Sequence, residues 1–317
     1  IHPHTITSII MTPSPPRSLP ESTKTDFFNA VRGMDSYELS DNGDAELLID
    51  STMGDGMVDI CYVSWTNEEM MELAAIIESN EKVHDWTMSR CSWGNSGVEG
   101  FTTLANALAR CPCLKKLCFS GNGLENQHIQ ILADLLKTGF KSLDTLELGE
   151  PGSSKPIFEI LHETNIETLF AGDNAFCFGE LGEARTTRAL SDGKLRDFSI
   201  CGERAQYNDI VVLLESLKNT TSKLTAVRIS LSWQNAFSEA EQVLLLQKIA
   251  ETLRQNYWIT HLTQTIIRQT LFEPYQSLIA FNKKGMRQAV QESDALAPHI
   301  LAKASNPIEM YDLLVSA

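Results

Sequence analysis

Long apolar runs are missing from this chain. No stretch reaches the 18 consecutive apolar residues that mark a membrane-spanning helix, so no transmembrane span is expected. Positive charge is scarce as well: 26 Lys and Arg stand against 41 Asp and Glu, a net charge of -15 over 317 residues. Phosphate backbones need clustered cations, so nucleic acid is not expected as a direct ligand. A basic protein surface is the more natural partner for such a chain. Catalytic signatures are also wanting. His2, His4, His84, His128, His162, His261 and His299 are scattered, with no His-Glu-x-x-His and no paired-carboxylate arrangement. Ser and Cys nucleophile motifs are absent. The segment Gly149-Glu150-Pro151-Gly152-Ser153-Ser154-Lys155 holds Gly, Ser and Lys but not in the order that cradles a phosphate. The expectation is a non-enzymatic protein with no cofactor, no metal and no catalytic residue.

Cysteine is present without a pattern. The seven residues Cys61, Cys91, Cys111, Cys113, Cys118, Cys177 and Cys201 are dispersed and odd in number, which excludes a complete disulfide framework. Cys111-Pro112-Cys113 is the one tight pair, but it has neither the spacing of a redox pair nor a second pair to complete a metal site. Reduced thiols at the end of a helix are expected, and they fit a cytoplasmic or nuclear setting. Residues Ile6 to Met11 are too brief for a secretory apolar core and follow no basic segment. Asn219-Thr220-Thr221 has the form of a glycosylation sequon, and with no signal peptide expected it reads as the polar end of a helix.

What the chain does have is a repeated phrase, apolar-x-x-apolar-x-apolar. It opens at Met57, Val83, Leu114, Leu143, Ile166, Leu195, Leu224 and Ile259, at intervals of 26, 31, 29, 23, 29, 29 and 35 residues. The third copy is the clearest. In Leu114-Lys115-Lys116-Leu117-Cys118-Phe119-Ser120-Gly121-Asn122-Gly123-Leu124, the spacing turns Leu114, Leu117 and Phe119 inward and places Asn122 where the strand ends. A short amide there can serve backbone groups that have no ladder partner. Asn174 and Phe176 repeat the device in the fifth copy. After the strand the period changes: Ile129, Leu132, Ala133, Leu135 and Leu136 follow helical spacing, as do Val98, Phe101, Leu104, Ala105 and Leu108 in the second copy. One unit is therefore a strand, a turn and a helix. No single unit buries both its apolar faces, whereas a stack of them does.

At these residues the chain resembles the leucine-rich-repeat proteins, specifically the ribonuclease-inhibitor-like subfamily with long strand-helix units. The resemblance covers about residues 57–266, roughly two thirds of the chain. It implies an α/β fold, a leucine-rich-repeat solenoid with a curved parallel sheet on the concave side, helices on the convex side and a helical C-terminal cap. Departures exist. Cys91 and Glu203 stand where the turn asparagine belongs, the unit from Leu143 is short, the unit from Leu224 is long, and Gln264 replaces the third apolar residue of the last copy. The domain reading is a flexible tail over 1–25, a flanking segment over 26–56 with a short helix from Thr25 to Gly33, about eight repeats over 57–266, and the cap over 267–317. Within that last segment Asn282, Gly285, Leu296, Pro298, Leu301, Tyr311, Leu313 and Leu314 resemble the ending of leucine-rich-repeat proteins from diatoms and related algae.

Side chains alternate faces along a strand, so the residues between the inward ones form the surface that repeat proteins commonly use for binding. Those positions hold Asp59 and Cys61, Asp85 and Thr87, Lys116 and Cys118, Thr145 and Glu147, Thr168 and Phe170, Asp197 and Ser199, Ala226 and Arg228, His261 and Thr263. The turns add Arg90, Glu150, Asp173 and Glu203. Acids outnumber bases there by 7 to 3, which modestly exceeds the ratio of the whole chain. The expectation is a docking face for a protein or peptide of basic character, carried by Asp59, Asp85, Lys116, Glu147, Glu150, Phe170, Asp173, Asp197, Arg228 and His261, with Phe170 as the aromatic anchor. The alternative is an adaptor in which the repeats select a target and the C-terminal helices recruit enzymatic machinery such as a ubiquitin ligase.

Overall fold

The computed structural model describes residues 18–33, 37–40, 46–50, 56–91, 97–149, 153–172, 177–202, 206–219, 224, 226–231, 237–256 and 261–264. The segment from 265 to 317, where a helical cap is expected, lies outside them, as do residues 1–17 of the expected tail.

Ten strands form one sheet in the order in which they occur along the chain: β1 (Tyr37–Ser40), β2 (Glu46–Asp50), β3 (Gly56–Cys61), β4 (Val83–Ser89), β5 (Lys116–Ser120), β6 (Thr145–Leu148), β7 (Thr168–Ala171), β8 (Asp197–Gly202), β9 (Ala226–Leu231) and β10 (His261–Gln264). From β3 onward every neighbouring pair is parallel, and β1, β2 and β3 are antiparallel. Parallel neighbours require a crossover. Helices supply it: α2 (Asn67–Glu78), α3 (Gly97–Arg110), α4 (Asn126–Thr138), α5 (Lys155–Ile160), α6 (Phe178–Leu181), α7 (Glu183–Ser191), α8 (Tyr207–Lys218) and α9 (Glu239–Gln255), preceded by α1 (Glu21–Gly33). Successive helices touch one another from α1 to α9, so they make one layer on one face of the sheet.

The inward residues of the strands are Trp86 and Met88, Leu117 and Phe119, Leu146 and Leu148, Leu169 and Ala171, and Phe198 and Ile200, all fully buried or nearly so. They meet Phe101, Leu104 and Leu108 of α3, Ile129, Leu132 and Leu136 of α4, and Leu213 and Leu217 of α8. The helices of the fourth and fifth units are short and leave less aliphatic surface to bury. Phe158, Phe178 and Phe198 fill that space, with ring centroids 5.0, 5.9 and 6.4 Å apart and the rings edge to face.

Three findings revise the sequence reading. The chain before Met57 carries two antiparallel strands, with Leu47 in the core, where only a flanking segment is expected. Helix α1 opens at Glu21, so residues 21–25 are helix and not tail. The first repeated phrase is also displaced. A bulge at Gly56/Met57 sets Met57 beside Asp85 and Asp59 beside Thr87. Val58 and Ile60 are therefore the inward pair, while Met57 and Tyr62 are half-buried outside the core.

The turn asparagine works as the spacing suggests. Asn122 is buried, accepts a hydrogen bond from the Cys91 amide at 2.7 Å and donates Nδ2 to the Met88 carbonyl at 2.8 Å. Cys91 occupies the same position one unit earlier. Its Sγ lies 3.5 Å from the Ile60 carbonyl, with the Val63 backbone amide also beside the sulfur. A thiol thus stands in for the amide, weakly, in the preceding unit. A second line of ties runs along the helix ends. Asn80 donates to the Val31 carbonyl at 2.8 Å and Asn256 donates to Leu217 at 2.7 Å, each bonding the unit before its own. Asn122→Ala should lower unfolding free energy by about 2–4 kcal/mol in a denaturant titration, because a buried amide and a buried carbonyl lose their partner together. A loss below 0.5 kcal/mol would mean that water replaces the side chain there.

Candidate functional site

Backbone register arranges the outward positions of the sheet into rows that cross the strands. One row runs Met57, Asp85, Lys116, Thr145, Thr168, Asp197, Ala226, His261. The next runs Asp59, Thr87, Cys118, Glu147, Phe170, Ser199, Arg228, Thr263. The sequence-derived candidates Asp59, Asp85, Lys116, Glu147, Phe170, Asp197 and Arg228 therefore share one surface. His261 is placed by its backbone, opposite Ala226. Glu150, Asp173 and Glu203 lie outside the described residues.

The charges on this surface are largely partners of one another. Lys116 Nζ lies 3.9 Å from Asp85 and 3.3 Å from Glu147, so one cation on β5 bridges carboxylates on β4 and β6. Arg228 meets Asp197 at 3.1 Å across β8 and β9. Arg90 stacks its guanidinium over the Tyr62 ring, 5.4 Å from the centroid, and donates to the Tyr62 hydroxyl. All three bases of the face thus have partners: zero register offset sets Lys116 and Arg228 beside opposite charges on adjacent strands, and Arg90 has the Tyr62 ring.

Burial modifies the chemistry of the row. Asp85 is pushed above its ordinary value by desolvation, with Glu147 and Asp59 adding repulsion and Lys116 opposing. The folded state therefore holds the Asp85 proton more firmly than the unfolded chain does. The sign follows: as pH rises above 3.8 through this window the folded state binds more protons, and stability falls. Asp85→Asn should remove that decline. Denaturation curves at successive pH values would display a wild-type stability that drops relative to the variant, and parallel pH profiles would contradict the assignment.

Cys118 departs from expectation. It points to the outward side, yet it is buried beside Ser120 and Glu147, since its side chain is short and its neighbours are longer. Burial pushes its thiol up to about 11, that of Cys91 to about 11 and that of Cys177 to about 12. None of the three offers a thiolate nucleophile at neutral pH. Cys111 is buried against the Asn80 and Val83 carbonyls, and both Cys111 and Cys113 are free thiols.

Sequence reasoning placed Cys61 and Arg90 on this surface but missed the rest of its upper rim. Beyond the last inward residue of each strand, Cys61, Ser89 and Ser120 are in register, and Gly149 and Gly172 continue the ladder through their amides to Phe119 and Leu148. Tyr62 and Arg90 follow with φ of 59° and 53°, and Gly121 with φ of 66°. A side chain at Gly121 would meet Arg90 Cγ at 2.8 Å, so the glycine leaves room for the arginine to fold back over Tyr62. The result is a trough of small residues bounded by Tyr62 and Arg90 on one side and by Glu147 and Phe170 on the other. Serine and glycine just past each strand phrase were the available signal.

The N-terminal strands were missed as well. In their backbone register Glu46 sits opposite Cys61 and Asp50 opposite Met57, and exposed Glu38 pairs with Leu48. Among the described residues no cluster of His, Cys, Asp and Glu could hold a metal ion, and no helix is long and apolar enough to cross a membrane.

No family model matches the chain, and no curated protein does. Among solved structures the chain is similar to actin-binding site 2 of leiomodin-1, at 12% identity, over 86% of this chain and 96% of that one, with a TM-score of 0.24. At that TM-score the likeness carries no argument about fold or partner.

Proposed function

We propose that the chain is a leucine-rich-repeat scaffold of the ribonuclease-inhibitor-like type that binds a protein or peptide partner on the open face of its sheet and catalyses no reaction. One observation carries the reading: among the described residues, eight consecutive parallel strands have helices on one face only. Parallel sheets are normally covered on both faces, so a face that no described element covers is a surface suited to an occupant. Its outward residues sit on strands, half-buried by their neighbours and held by cross-strand ion pairs, which presents them in a fixed arrangement. Phe170 supports the reading further as the half-buried aromatic side chain of that face, beside Glu147 on β6 and Ser199 on β8. Aromatic residues among well-packed neighbours are where binding energy concentrates. The buried thiols described above fit a role without nucleophilic chemistry.

The test begins with a partner identified by affinity capture and mass spectrometry from the native organism. Phe170→Ala should then weaken its binding by roughly thirtyfold or more, the effect of losing about 2 kcal/mol at an interface hot spot. Glu147→Lys should weaken it too, and more at low salt than at high. Glu99→Lys changes net charge equally from an exposed position on α3 and should leave binding nearly intact. Binding that is indifferent to all three variants would remove the sheet face from consideration.

A further inference from the structure

Among the described residues the open face is electrically lopsided, and the lopsidedness follows from which strands carry partnered charges. On strands β1 to β6 the described outward carboxylates are Glu38, Asp59, Asp85 and Glu147. Lys116 is the one described base on those strands' outward face, with Arg90 at the rim. Asp85 and Glu147 flank the single Lys116 ammonium, and Asp59 repels Asp85 from the other side, so three carboxylates stand against one cation. On β8 and β9 the balance is different. Asp197 and Arg228 neutralise each other at 3.1 Å, and Ser199 and Ala226 bring no charge. Phe170 on β7 stands at the border between the two halves.

We infer that the docking footprint covers β3 to β7 and stops at Phe170, and that its occupant is a protein segment carrying basic side chains together with an apolar side chain roughly 16 Å away. The inference rests on the docking function proposed above and adds position, polarity and spacing to it. The spacing combines three interstrand steps of about 4.8 Å between β4, which carries Asp85, and Phe170 on β7 with an offset of about 7 Å between their rows. An extended segment crossing the strands covers that distance in about five residues at roughly 3.4 Å each. The trough of Ser89, Ser120, Gly149 and Gly172 offers such a segment a path without bulky side chains. A basic side chain placed over β3 and β4 satisfies carboxylates that Lys116 alone does not neutralise. Burial is the main reason Asp85 holds its proton more firmly than usual, and repulsion from Glu147 and Asp59 adds to it. Over β8 and β9 the same side chain would meet a completed ion pair and gain little.

The probe is the synthetic peptide Trp-Gly-Ser-Gly-Arg-Arg, capped at both ends and titrated into the full-length protein at low salt with NMR detection. Shift changes should gather at Asp59, Asp85, Thr87, Glu147 and Phe170. The double variant Asp85→Asn with Glu147→Gln should weaken the peptide by roughly tenfold, the effect of losing two partly desolvated charge contacts. Asp197→Asn and the remote Glu99→Gln should each weaken it by less than about twofold. A peptide with the sequence Trp-Arg-Arg-Gly-Ser-Gly, which shortens the spacing, should bind more weakly than the probe. Shifts on the sheet face that depend on Asp197 as strongly as on Asp85 would overturn the footprint while leaving the docking face intact. Shifts confined to the helices, or equal losses with Glu99→Gln, would overturn both. Absence of measurable binding, or equal binding of the two peptides, would overturn the stated occupant. Folding of each variant is checked by its far-UV circular dichroism and melting curve. A double variant that failed to fold would be replaced by Glu147→Gln alone, with about a threefold loss expected.

Discussion

Leu146→Asp should leave no cooperative unfolding transition at room temperature. Leu146 is completely buried at the centre of β6, between Leu117 on β5 and Leu169 on β7, in the middle of the sheet. The substitution removes a large apolar side chain and places an unpaired carboxylate among apolar neighbours. The cavity alone costs about 2–5 kcal/mol, and the buried charge adds several more. A domain is stable by only about 5–15 kcal/mol in total. Lys115→Ala, at an exposed position of the neighbouring unit, should shift the melting temperature hardly at all. Circular dichroism melts of the two variants decide the matter. If the aspartate variant melted like the Lys115 variant, the inward register of the strands would be wrong.

The second large effect lies at the N-terminal end. Helix α1 buries Phe27, Phe28 and Val31 against the first unit and lays Lys24 over Glu69 of α2. Both partners are withdrawn from water, with side-chain exposures of 4% and 13%. Glu69 also accepts from the Thr66 amide, completing the cap of α2 with the Thr66 hydroxyl. Removing one member of a buried pair strands the other, so Glu69→Gln should cost about 3–5 kcal/mol. Lys24→Met removes the desolvated cation itself and fills its space. That change should cost less than Glu69→Gln, because the stranded Glu69 is the more exposed of the two and keeps its hydrogen bond to Thr66. The asymmetry is the readout. Equal losses from the two substitutions in a denaturant titration would mean that the pair is effectively solvated.

What the sequence made legible was whatever repeats. Leu114, Leu117 and Phe119 announce an inward face by spacing alone, and Ile129, Leu132 and Leu136 announce the helix that covers it. What stayed hidden breaks the pattern or depends on distant residues. Strand β2 reads Glu46-Leu47-Leu48-Ile49-Asp50, where three adjacent apolar residues conceal the alternation of a half-buried strand. Met57 and Val58 are both apolar, so composition does not say which faces inward, and only pairing with β4, where Val58 meets Trp86, chose Val58 for the core. The charged face was legible as composition but not as energetics. Lys116 looks like an isolated base until strand register brings Asp85 and Glu147 beside it from 31 residues away in either direction. Arg228 likewise joined Asp197 from the preceding unit, which made the acidic excess a property of one half of the sheet.

The antiparallel β1–β2 hairpin has a consequence for assembly. A chain of stacked parallel units has two dissimilar ends, and when such ends complement each other copies can join head to tail into an open filament. Helix α1, which precedes the hairpin and packs against both α2 and β2, occupies the position beside α2 that another molecule's helix would need. The hairpin and its helix therefore also work against end-to-end polymerisation.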